Sequence, residues 1–134
     1  MVLRVTQDDL DPDVRRFIVE RVDAIELLEV ALALRAGRDR DHDAEGLARA
    51  LGSNAASIGR RLRALEAIGI ARPHGAAWRY EPAPALDDLI GRVERAYRER
   101  RLSVINLIYA PKPNDITLFS DAFRLRDPKK EDER

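Results

Sequence analysis

Residues 44–82 read AEGLARALGSNAASIGRRLRALEAIGIARPHGAAWRYEP, and the order of signals in this stretch decides the fold. Asp43 precedes it as a helix N-cap, Leu47, Ala48 and Leu51 fall at helical spacing, and Gly52 follows as a C-terminal stop. Ser53 and Asn54, both good N-cap residues, introduce a second helix that runs to Ile68 and closes at Gly69. At 100° per residue, Ile58, Leu62 and Leu65 share the face that must meet a core. Ala56, Arg60, Arg63 and Ala67 lie opposite, with Ser57 and Arg61 on the flanks. Two short extended pieces then surround His74-Gly75, a tight-turn signal, and Trp78 and Tyr80 alternate onto one face.

Upstream, Asp11-Pro12 opens a short helix with Val14, Phe17, Ile18 and Val22 as its apolar stripe. Asp23 with Glu26 three residues later has the pattern of a capping box. The run IELLEVALALRAG from Ile25 is apolar around most of its circumference, which predicts a buried helix ending at Gly37. The polar RDRDHDAEG that follows reads as a loop. Its Asp39, Asp41 and Asp43 resemble the start of a calcium loop, but Ala44 and Ala50 stand where glycine and glutamate are needed. No metal site is expected there.

Downstream, Pro82 and Pro84 end the extended region and a long helical pattern begins. Its apolar residues at 86, 90, 93, 97, 104 and 107 form a seam broken only at Arg100. That seam predicts lengthwise packing against another helix, and Leu86, Ile90, Val93 and Tyr97 are the candidate contacts of a homodimer. Pro111 and Pro113 terminate it, and ITLFSDAF carries Phe119 and Phe123 as candidates for contacting a protein partner or the chain's own core. The expected organisation is a domain over 1–82, a long helix over 83–110, and a short amphipathic segment with a charged tail over 111–134.

Composition narrows the class. The 134 residues are 45% hydrophobic and 36% charged, without a cysteine, which rules out disulfides, thiolate metal sites and cysteine nucleophiles. The start, MVLRVTQDDLDPDV, lacks the layout of a signal peptide, and no apolar run approaches a membrane span. A cytoplasmic, non-membrane protein is expected. With His42 and His74 as the only imidazoles and no phosphate-binding glycine loop, neither an enzyme nor a cofactor is expected. Overall, 24 Lys+Arg balance 24 Asp+Glu. Locally they do not: residues 1–52 hold 8 basic and 12 acidic side chains, whereas residues 53–80 hold 5 basic and only Glu66. A cationic block of this kind speaks of partners.

The order helix, glycine turn, helix, glycine, hairpin resembles the winged helix-turn-helix of bacterial transcriptional regulators of the MarR and ArsR kinds. The L-A-x-x-L-G of Leu47–Gly52 and the L-x-x-L-x-x-x-G-I of Leu62–Ile70 carry the resemblance. It implies a mainly α fold with a small β-hairpin wing, to which the flanking patterns add an N-terminal helical pair and a long C-terminal helix. It also implies that the second helix of the motif lies in the major groove of double-stranded DNA. Asn54, Ala56, Ser57, Arg60, Arg61 and Arg63 match the groove-facing helix, and Arg72 and Arg79 fall in the wing. The alternative expectation is an adaptor that uses the same module to bind a protein.

Overall fold

The computed structural model describes residues 10–110, ordered as α1 (Pro12–Arg21), α2 (Ile25–Ala36), α3 (Ala44–Leu51), α4 (Ala55–Ile68), β1 (Ala71–His74), β2 (Ala77–Tyr80), α5 (Pro84–Glu99) and α6 (Arg101–Tyr109). The fold is mainly helical, with one two-stranded antiparallel sheet among the described residues. The expected segment at Phe119 and Phe123 lies outside them.

Local chemistry accounts for most of the boundaries. Asp11 caps α1, its carboxylate accepting from the Asp13 amide at 2.8 Å, and Pro12 sits where no amide is required. Asp43 caps α3 through the Gly46 amide at 2.6 Å, and Asn54 caps α4 through the Ser57 amide at 2.9 Å. Between those two helices Gly52 adopts φ 70°, a left-handed conformation that lets the Ser53 amide return to the Ala48 carbonyl at 2.8 Å. The expected capping box at Asp23 does not form. Ala24 occupies the N-cap of α2 without a side-chain bond, and Glu26 is engaged elsewhere.

α2 is the central element. Leu27, Leu28, Val30, Ala31 and Leu34 are all buried, and α4 lies across it with Ile58, Leu62 and Leu65 facing inward. α1 packs on α5 and α6. The hairpin pairs Ala71 with Tyr80, Arg72 with Arg79, Pro73 with Trp78 and His74 with Ala77. Gly75 at φ 65° is followed by a residue without positive φ, the pattern of a type II′ turn, whose twist suits a two-residue hairpin. The bond from the Glu81 amide to the Ile70 carbonyl at 3.0 Å sets the alternation, so Pro73–Trp78 falls at a non-hydrogen-bonded position. Trp78 is thereby free to pair outward. It exchanges both backbone bonds with His42, at 2.8 and 2.7 Å, so the segment read as a plain loop supplies a third strand position to the sheet.

The expectation of one long helix over residues 83–110 needs correction. The helix is interrupted: Arg100 takes φ −131°, ψ 51°, dividing the segment into α5 and α6. The apolar seam is also already covered by its own chain. Ile90 and Val93 are 0% exposed and Tyr97 9%, while Leu86 packs half-buried against the same core. Ile90, Val93 and Tyr97 are therefore interior positions of the single chain, and only Leu86 keeps part of its surface open.

A polar network ties the hairpin to the helices. The Tyr80 hydroxyl donates to Asp87 at 2.5 Å, and Arg38 reaches the same carboxylate at 2.8 Å while lying over the Tyr80 ring. Arg35 crosses from α2 to Glu94 at 2.8 Å. Bonding to Tyr80 and then Arg38 holds the Asp87 carboxyl below the usual carboxylate range. Among the described residues no helix is long and apolar enough to cross a membrane.

Candidate nucleic-acid interface

The structure separates the eight expected DNA-facing residues into three groups. Ser57 and Arg61, on the flank of α4, turn inward to Glu26 of α2. The Ser53 and Ser57 hydroxyls donate to its two carboxylate oxygens, and Arg61 Nε donates to Oε1 at 2.9 Å, with Asp23 a further 3.7 Å neighbour of the guanidinium. Glu26 thus fastens the start of α4, and the turn before it, onto the central helix. These hydrogen bonds, Ser53 first and then Ser57 and Arg61, hold its carboxyl down to about 2. Ser57 and Arg61 are therefore anchors in the free protein, engaged with Glu26. Asn54 is likewise occupied, as the cap of α4.

The wing arginines form the second group. Arg72 and Arg79 stand directly opposite one another across the hairpin, where like charges repel. Each has an acidic neighbour: Arg79 Nε lies 2.8 Å from Asp41, and Arg72 Nε 3.8 Å from Glu81. His74 spans the same two acids, with Nε2 3.0 Å from Glu81 and Nδ1 3.7 Å from Asp41. Asp41 and Asp43, weighed above as calcium ligands, thus serve as an ion-pair partner and a helix cap.

The third group is Ala56, Arg60 and Arg63. All three are exposed on the face of α4 turned away from the core. No acidic side chain lies within 4 Å of Arg60 or Arg63 among the described residues, in contrast to Arg61 beside them. Ala56, Gly59 and Ala67 leave the backbone around these two guanidinium groups uncrowded. The helix therefore presents two uncompensated planar cations, able to bond an acceptor pair bidentately.

Sequence reasoning missed Glu26, because a glutamate three residues after an aspartate has an adequate local explanation as a capping box. Its partners lie 27–35 positions away. The usable signal was the pair Ser53 and Ser57, two hydroxyls at a four-residue spacing beside a buried helix that carries one acid in its first turn.

Comparison with known proteins gives no match: no family model, no curated protein and no solved structure matches the chain.

Proposed function

We propose that this chain is a DNA-binding regulator of the winged helix-turn-helix class, with α3 and α4 as the helix-turn-helix, β1–β2 as the wing, and α4 as the element that enters the major groove. The observation that carries the reading is the pair Arg60 and Arg63. Both are exposed, and among the described residues no acidic side chain lies within 4 Å of either, on a helix whose other arginine is locked inward. An exposed guanidinium on such a helix can bond guanine O6 and N7 together, which discriminates against a wrong base by about 1–3 kcal/mol. The reading is tested with a selected pool of random duplexes. Arg60→Ala and Arg63→Ala should lose affinity for the enriched sequence and relax preference at one or two base positions. Enrichment of no sequence, with wild type and variants behaving alike, would reject it.

A second reading has its own observation. Leu102 and Tyr109 on α6 are 73% and 62% exposed, and the wing cations are paired, as suits an adaptor for a protein partner. In that case the α4 face is the first surface at which to seek the partner.

A further inference from the structure

Resting on that reading of α4, we propose that Asp41 and Glu81 are specificity-determining residues, which keep the wing from binding DNA phosphate indiscriminately. The wing concentrates two arginines on one face, Arg72 opposite Arg79. Left bare, such a pair would favour any duplex, because phosphate binding carries no sequence information and its driving force is the release of counterions. The structure answers each arginine with an acid drawn from outside the two strands. Asp41 comes from the segment before α3 and holds Arg79 at 2.8 Å, while Glu81 follows β2 and lies 3.8 Å from Arg72. His74 bridges both carboxylates, and the Arg79 guanidinium also reaches the Asp39 carbonyl at 3.5 Å.

The pairs do not need to be strong to have this effect. Their side chains are 33–68% exposed, so a phosphate could displace either carboxylate from its arginine. The acid would still stand beside the incoming phosphate and repel it. A neutral wing releases few counterions, and the non-specific term stays small. Sequence discrimination is then left to Arg60 and Arg63. Discouraging wrong partners by opposed charge is a general route to specificity.

The test compares D41N/E81Q with a charge-matched control, E20Q/D88N, which removes two acids from α1 and α5 instead. Both are measured with wild type on a random-sequence duplex and on a selected one, across 50–300 mM salt at one pH, after circular dichroism and melting show that each is folded. Freeing both arginines should steepen the log–log salt slope on random duplex by about one unit per arginine and raise affinity at low salt by roughly tenfold for each. The ratio of selected to random affinity should fall, and the control should move neither quantity comparably. Equal responses from the two variants, or an unchanged slope in D41N/E81Q when wild type binds the selected duplex, would overturn the inference and leave the reading of α4 standing. If wild type binds no duplex but D41N/E81Q does, the masking role stands and the assignment of α4 falls. If neither binds, both fall.

Discussion

Glu26 connects the core to the candidate interface at the scale of a single residue. Its carboxylate accepts from two hydroxyls and one guanidinium, and none of those donors has another acidic partner as close. The folded carboxyl is held to about 2, below its unfolded value near 4.5, so its contribution is complete above that value and drains away as pH falls from about 4.5 to about 2. With the side chain 22% exposed, solvent reduces that contribution to on the order of 1–2 kcal/mol. Glu26→Gln should therefore lower stability at pH 7 by about that amount, with the gap to wild type closing near pH 2. Urea unfolding at the two pH values checks this, and a gap that does not narrow would count against it. The neighbouring arginines should divide in the same assay. Arg61→Ala removes an anchor and should destabilise, whereas Arg60→Ala and Arg63→Ala should stay within the ~0.5 kcal/mol usual for surface positions. Equal losses from Arg60→Ala and Arg61→Ala would erase the distinction between reader and anchor.

Among the elements, what could be read in advance was whatever short-range chemistry decides. Asp43, Asn54, Gly52 and Gly69 mark the ends of α3 and α4, and the stripe Ile58, Leu62, Leu65 gives the buried face; all behave in the fold as their spacing predicts. Features set by partners distant in sequence were not legible. The His42–Trp78 bridge joins residues 36 positions apart, so nothing near His42 announces a strand. The seam of α5 was visible as a seam, but its periodicity is the same whether the covering helix belongs to this chain or to another. Arg100, the one break in that pattern, turned out to mark the boundary between α5 and α6. The candidate interface follows the same rule: the exposed side of α4 was predictable, while the capture of Arg61, Arg72 and Arg79 by acids was not. Gly52 offers a clean test of the helix-turn-helix geometry. A Cβ there would meet nothing within 4 Å, so Gly52→Ala isolates the cost of φ 70°, about 1–2 kcal/mol. A melting temperature equal to wild type would mean that the turn is not held in that conformation.

At the scale of the whole molecule, the arrangement of charge matters more than its sum. The chain is neutral overall, the wing's cations are paired, and two on α4 have no acid within 4 Å among the described residues. A protein of this kind should bind duplex DNA with a shallow dependence on salt and a preference set by few base contacts, unlike a generally basic protein. Tyr97, Ile90 and Val93 are committed to the interior, and among the described residues the large apolar side chains left exposed are Leu102 and Tyr109 of α6. The central claim is that α4 contacts DNA through Arg60 and Arg63. The most direct measurement is the affinity of wild type and R60A/R63A for a selected duplex as salt is raised from 50 mM. The account predicts that wild type binds the selected duplex with a shallow salt dependence, and that the double variant loses affinity for it and the sequence preference while melting like wild type. Wild-type protein with no affinity for any duplex at 50 mM salt, or a double variant that binds as wild type does, would contradict it.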